Sequence, residues 1–502
     1  MNQSTDNPLN TAFFGHPKGL QTLFFTEMWE RMSYYGMRGL LVLFMTASLQ
    51  EEGLAFTTAS AAAIYGIYTA SVYFMGLPGG WIADRLIGGQ KAIWYGGIVI
   101  MCGHIVLAIP NDDTFFAGLI LVVIGTGLLK PNISALVGQL YSLEDERRDS
   151  GYAIYYMGIN IGSVIGYTVA GALSTYAGWH WAFGAAAVGM AFGLFQYRRT
   201  IGNLEGVCEH PQQALSPAGA KTSRIVITGF ILLVTAIAWM VMSGKLVVDP
   251  ISTAQLIAKL FIGIFVIYFA AIFFMGKLNA LEKKGMLALL LVCVASACFW
   301  SGFEQAGSTL NLFARDYTDR MLGDFEIPTI WFQNANSLFI ILLTPFFVAL
   351  WVNLGKRFIT PGYGIKCAIG LMIMASGFIA MFFAAQIAAT GLKVAPYWLI
   401  LTYFLHTVGE LTLSPIALSA VSKLSPRRFA GQMMGVFVLT YSIGNIIAGI
   451  MAGNFDPEKV SEMPDLYMAI VTFSVGIGAV ILLLAMFTKN WETEVSQARK
   501  AA

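Results

Sequence analysis

The sequence predicts an all-α, polytopic membrane protein of fourteen transmembrane helices, and three observations carry that prediction. Of its 502 residues, 57% are hydrophobic and 12% charged, about half the charged share of a soluble globular protein. Mean hydropathy is +0.68, and apolar runs of membrane-spanning length recur along nearly the whole chain. The basic residues also fall asymmetrically between those runs, as they do in polytopic proteins.

Turn and charge clusters divide the chain in order. A polar stretch lacking the basic n-region of a cleavable signal precedes the first span, 19–49. Spans 58–83, 91–110, 115–139, 151–177 and 179–198 follow. The longest hydrophilic segment, 199–222, contains two prolines and closes this first set. Spans 223–243 and 253–276 carry almost no polar group that could face a pathway, so they read as an inserted pair. Spans 285–313, 330–354, 364–388, 396–422, 428–453 and 466–489 form a second set of six. The expected organisation is a tail (1–18), a six-helix bundle (19–198), a linker (199–222), the inserted pair (223–276), a second bundle (285–489) and a tail (490–502).

With the N-terminus inside, 21 of the 30 Lys and Arg residues fall in cytoplasmic segments and six in outer ones. Both termini are therefore expected in the cytoplasm. The net charge of +2 argues against a nucleic-acid partner. The five cysteines show no metal-type pairing and read as reduced. No HExxH or GxSxG occurs and the five histidines are scattered, so no enzyme chemistry and no metal is expected.

Three bases, Arg31, Arg38 and Lys130, remain at membrane depth with four acids, Glu27, Glu30, Glu304 and Glu410. Exposed to lipid, each would cost about 2.5–3.5 kcal/mol, so they must face one another or water. At about 100° per residue, Glu27, Glu30, Arg31, Tyr34, Tyr35 and Arg38 share one face of the first helix. Setting the inserted pair aside, the charges occupy helices one, four, seven and ten, each the first of a three-helix unit. That is the pattern of a transporter built from repeats around a midplane site. Tyr152, Tyr156, Asn160 and Ser163 align on the fifth helix; Trp300, Glu304, Ser308 and Asn311 align in FWSGFEQAGSTLN; His406, Glu410 and Ser414 align in HTVGELTLSP. Asn336 and Tyr73 add to the set. His406 reads as a hydrogen-bonded core histidine, and Pro345 and Pro415 as kinks.

Paired cations, carboxylates and amides with aromatic walls suit a zwitterion: a carboxylate on Arg31 and Lys130, an amine on Glu410 with Asn160 and Asn336. Four acids against three bases leave one carboxylate without a formal partner, the minimum equipment for proton coupling. A potential of 100 mV supplies about 2.3 kcal/mol per charge, roughly fifty-fold accumulation per proton.

Five motifs then carry a resemblance. GGWIADRLIGGQK (79–91) resembles the major facilitator signature loop. EMWERMSYYG (27–36) resembles ExxERFxYYG of the proton-dependent oligopeptide transporters, GTGLLKPNIS (125–134) resembles GxGxxKPNxS, YYMGINIGS (155–163) resembles FYxxINxGS, and GELTLSP (409–415) resembles GELxxSP. The resemblance covers essentially the whole chain. It implies a major facilitator fold of two six-helix bundles plus a helix pair, and a proton symporter for di- and tripeptides in the bacterial inner membrane. Glu27, Glu30 and Arg31 would couple protons, while Arg31 and Lys130 would read the peptide carboxylate. Asn160, Asn336 and Glu410 would receive the amine. Tyr35, Tyr73, Tyr156, Trp300 and Ser414 would line side-chain pockets. Arg38 with Glu304, and Lys130 with Glu410, would be gating bridges. Protons are the coupling ion, no cofactor is expected, the partners are peptide and membrane lipid, and a monomer is expected. Met32, Leu129, Ser337 and Phe437 depart from the family pattern, which bears on pocket shape. The alternatives are a major facilitator transporter of another small zwitterion or organic anion, and a membrane peptide sensor that does not transport.

Overall fold

The computed structural model describes residues 11–142, 145–357, 361–457 and 459–501. These are almost entirely helical: α1 (Lys18–Thr46), α2 (Thr58–Ile82), α3 (Gly89–Leu107), α4 (Asp112–Gln139), α5 (Arg147–Tyr176), α6 (Trp179–Thr200), α7 (Pro217–Met242), α8 (Pro250–Met275), α9 (Ala280–Phe303), α10 (Thr309–Asp316), α11 (Asn334–Lys356), α12 (Tyr363–Ala389), α13 (Tyr397–Leu424), α14 (Ala430–Ala452) and α15 (Met463–Ala501). Among the described residues, twelve helices are long and apolar enough to cross a membrane, α9 and α10 counting as one. α1 and α6, with 29 and 22 residues, are also long enough to span, which makes fourteen.

The chain divides into two compact units. One holds residues up to Leu40, with Leu49–Leu54 and Ser71–Asp249; the other holds Leu41–Ser48, Ala55–Ala70 and Pro250 onward. The inserted pair is therefore divided, with α7 in the first unit and α8 in the second. α8 buries Ala254, Ala258, Phe261, Phe265, Phe269 and Ile272, a stripe at helical spacing, and packs on α14.

In the first unit, glycines let helices approach closely. A Cβ on Gly96 would lie 2.7 Å from the carbonyl oxygen of Gly125, drawing α3 against α4. Gly158, Gly162 and Gly166 recur every fourth residue on α5 and face Phe24, Met28 and Met32 of α1. The hydrophilic linker is folded onto the start of α3 and the helical turn, Ala83–Ile87, that precedes it. Gln90 Nε2 donates to the carbonyls of Leu204 (2.7 Å) and Val207 (2.8 Å), and the Gln213 amide donates to the Asp84 carbonyl (3.0 Å).

In the second unit, the span expected to run unbroken over 285–313 is interrupted. α9 passes into a 3₁₀ turn at Glu304–Gly307, and Ser308 (φ −124°, ψ −94°) leaves the helical region before α10 resumes. Gln305 supports the break, donating from Nε2 to the carbonyls of Ala448 (3.1 Å) and Ser301 (3.3 Å). The expected alignment of Trp300, Glu304, Ser308 and Asn311 thus does not continue through one helix. A two-stranded hairpin, Met321–Leu322 with Phe325–Glu326, follows α10 and turns at Gly323 (φ +63°). α15 continues as helix through 501 rather than ending near 489, and its Glu492 accepts from the Tyr363 amide (2.7 Å) at the start of α12.

Candidate functional site

The α1 charges lie together in the first unit, nearly sealed from solvent. Glu27, Glu30 and Arg31 are 1%, 0% and 2% exposed. One guanidinium serves both acids: Arg31 pairs through Nε and Nη2 with both Glu30 oxygens, the latter at 2.7 Å, and Nε lies 3.1 Å from Glu27 Oε1. Such a fork is the geometry in which Arg holds a carboxylate best. Glu27 Oε2 is buried and closes no hydrogen bond of good geometry among the described residues. The guanidinium lies 4.8 Å from the Tyr34 ring and 5.8 Å from that of Tyr35. Arg38, one turn on, also faces Tyr35 at 5.8 Å.

α4 brings Lys130 to this cluster. Its ammonium sits 4.3 Å from the centre of the Tyr73 ring, and the charges of Arg31, Glu30, Glu27 and Arg38 all act on it. Pro131 follows inside the helix and deprives one carbonyl of its amide donor. Neighbouring side chains bind the backbone here: Asn132 Nδ2 donates to the carbonyls of Leu128 (2.7 Å) and Gly79 (3.4 Å). Ser134 Oγ donates to the Lys130 carbonyl (3.2 Å). The KPNIS segment therefore serves as much to shape α4 as to supply a charge.

On α5, Asn160 is 4% exposed and its Nδ2 donates to the Tyr156 carbonyl (3.0 Å). That leaves Oδ1 as the atom able to accept from a ligand's ammonium group. Tyr156 is exposed, at 39%. Sequence reasoning passed over Tyr155, whose hydroxyl lies 3.1 Å from Ser134 Oγ and acts on the Glu27 carboxyl. The missed signal was that Tyr155 stands beside, not on, the polar stripe of α5.

The second unit gathers the other candidates. Asn336 Nδ2 donates to Glu410 Oε2 (3.1 Å) and to Thr407 Oγ1 (3.0 Å), so the amide that holds the buried acid is itself held by a hydroxyl. Glu304, 1% exposed, acts electrostatically on Glu410. Trp300 meets Tyr441 edge-on at 5.0 Å. The Ser414 hydroxyl is buried on the same helix as Glu410 and makes no hydrogen bond among the described residues. His406 corrects an expectation: it is buried against Phe378 (4.8 Å) and Phe303 (6.1 Å), and neither ring nitrogen makes a hydrogen bond among the described residues. Two aromatic neighbours hold an imidazole by packing, where a polar partner was expected.

The profile of the POT family matches residues 90–468. The chain is 39% identical to the peptide transporter YePEPT of Yersinia enterocolitica subsp. palearctica, over 96% of this chain and 97% of that one. The chain belongs to the POT family. Within it, the chain is 37% identical to a di-/tripeptide transporter of Lactococcus lactis subsp. cremoris, over 88% of this chain and 90% of that one. It also superposes, with a TM-score of 0.89, on the crystal structure of a peptide transporter POT in complex with sulfate, covering 95% of this chain and 96% of that one at 37% identity. These relatives of the POT chain are transporters, not enzymes. Of the two expected bridges, Arg38 and Lys130 belong to the first unit and Glu304 and Glu410 to the second.

Proposed function

We propose that this POT-family chain is a proton-coupled symporter that imports di- and tripeptides across the bacterial inner membrane by alternating access, with both termini cytoplasmic and the chain acting as a monomer. The observation that carries the reading is the sharing of one guanidinium, Arg31, by two buried carboxylates, Glu27 and Glu30. One cation opposite two acids gives a place for a mobile proton and, once an acid is protonated, a guanidinium able to take a peptide's carboxylate. Arg31 and Lys130 bind that carboxylate; Asn160 Oδ1, Asn336 and Glu410 take the amine. Tyr35, Tyr73, Tyr156, Trp300 and Ser414 meet the side chains. Arg38 with Glu304, and Lys130 with Glu410, form bridges that open and close the path. The names of the relatives, peptide and di-/tripeptide transporters, support the substrate class.

The test is uptake of labelled dialanine into liposomes, with and without an imposed proton gradient. The reading expects gradient-driven accumulation in the native protein and its loss in Glu27→Gln and in Glu30→Gln. Uphill uptake of native size in either variant refutes that acid's coupling role. Failure of peptides to compete while another small zwitterion or anion does so refutes the substrate assignment. Peptide binding without any exchange across the membrane would mark a sensor.

A further inference from the structure

The FYxxINxGS pattern has phenylalanine where this chain has Tyr155, and the extra hydroxyl is not idle. Tyr155 is 4% exposed, Ser134 Oγ lies 3.1 Å from its hydroxyl, and either atom can be the donor. On its other side the same hydroxyl acts on the Glu27 carboxyl. Ser134 in turn bonds the carbonyl of Lys130 (3.2 Å). The groups facing Glu27 are thus Arg31 and Glu30 from α1, Lys130 from α4 and Tyr155 from α5. Three of these carry charge; Tyr155 is the neutral hydrogen-bonding group among them.

We propose that the Tyr155 hydroxyl, relayed by Ser134, is a positioning device that reports and sets the protonation state of Glu27. A hydroxyl is both donor and acceptor, so the chain has two self-consistent arrangements. With Glu27 ionised, Tyr155 donates to the carboxylate and Ser134 donates either to Tyr155 or to the Lys130 carbonyl. With Glu27 protonated, the carboxyl donates to the Tyr155 oxygen and Tyr155 donates to Ser134 Oγ. The two differ by one proton, taken from water as the Glu27 O–H bond forms and returned as it breaks, and by the setting of the hydroxyl rotors. The second arrangement needs Ser134 as an acceptor, whereas in the first its hydroxyl has an alternative partner. Removing each hydroxyl therefore acts with opposite sign. Without Tyr155's donor, the ionised acid loses a charge-assisted bond, so Glu27 takes its proton at higher pH. Without Ser134, the protonated arrangement loses its terminal acceptor, so Glu27 takes its proton only at lower pH.

This inference rests on the proton-coupled reading, and the experiment separates the two. Full-length native protein, Tyr155→Phe and Ser134→Ala are reconstituted, and gradient-driven dialanine uptake is followed from about pH 5 to 8. Native uptake that ignores the gradient overturns the coupling reading and this inference with it. Given coupled native uptake, Tyr155→Phe is expected to move the half-maximal pH up by about one unit, and Ser134→Ala to move it down by less. A general packing defect would lower uptake at every pH and leave the midpoint in place. Unmoved midpoints, or two shifts of the same sign, overturn the inference while leaving the symport reading intact.

Discussion

Replacing Gly162 by alanine tests whether the closeness of α5 to α1 is what holds the charge cluster. A Cβ at that position would stand 2.2 Å from the Met28 carbonyl oxygen and 3.0 Å from Arg31 Cβ. Ordinary contact begins at 3.4 Å, so the helices must part by about 1.2 Å at the level of Glu27 and Arg31. The obstacle is backbone, which cannot swing aside as a flexible side-chain tip can. Overpacking of this kind costs about 1–3 kcal/mol, and a misplacement near 1 Å at a reacting centre costs on the order of 100-fold in rate. Gly162→Ala should therefore melt at a lower temperature in detergent and lose about two orders of magnitude in gradient-driven dialanine uptake. Gly229→Ala on α7 is the control, because nothing lies within 4 Å of its added Cβ. Alanine there should be neutral or stabilise the helix by up to about 1 kcal/mol. Uptake within twofold of native for Gly162→Ala, with an unchanged melt, would refute the packing argument.

Two further outcomes follow from contacts away from the charge cluster. Glu492 accepts from the amides of Tyr363 (2.7 Å) and Gly364 (3.3 Å), capping α12 from a distant helix. Glu492→Ala should cost about 1–2 kcal/mol and raise hydrogen exchange at those two amides; native protection there would refute the cap. His16 sits near α5, its Nδ1 2.9 Å from the Tyr141 hydroxyl, with Arg147 Nη1 donating to the Gly15 carbonyl (3.1 Å). Burial, and next the Arg147 charge, hold the His16 pKa below its ordinary 6.5, partly opposed by Asp145. The unfolded segment then binds more protons, so the stability His16 lends is present above about pH 6.5 and lost as pH falls toward the folded value. Exchange at residues 13–16, corrected for intrinsic rate, should rise between pH 7.5 and 5.5 and become pH-independent in His16→Gln. Equal protection of the native protein at both values would contradict this.

Much of this was legible in the sequence because the membrane leaves so few options. Charges cannot face lipid, so Glu27, Glu30 and Arg31 had to be read together, and the structure brings them together. Helix count and order were legible for the same reason. The break after Phe303 was not, since its support comes from Gln305 reaching the carbonyl of Ala448, a contact between residues 143 apart. The solitary packing of His406 was equally hidden: periodicity places a histidine on a face but does not name its neighbours. Tyr155 escaped because a stripe drawn at 100° per residue excludes a side chain that reaches sideways to Ser134 on another helix.

The departures from the family pattern gain a physical meaning once their neighbours are known. Met32, whose place in the motif bears on pocket shape, is 7% exposed, and a Cβ on Gly189 of α6 would lie 2.4 Å from its sulfur. A flexible thioether fills a gap against a glycine where a rigid ring would need a differently shaped one. Leu129 is fully buried, packed toward Gly96 of α3, and Phe437 is fully buried with its ring 5.3 Å from Tyr441. All three are packing positions that border the charged or aromatic groups of the site. They act on it through helix spacing, so reverting any one alone should disturb the spacing that the other side of the contact has already adjusted to. The substitution that adds chemistry is the one the motif comparison hides, Tyr155, whose hydroxyl lies 3.1 Å from Ser134 Oγ and acts on the Glu27 carboxyl.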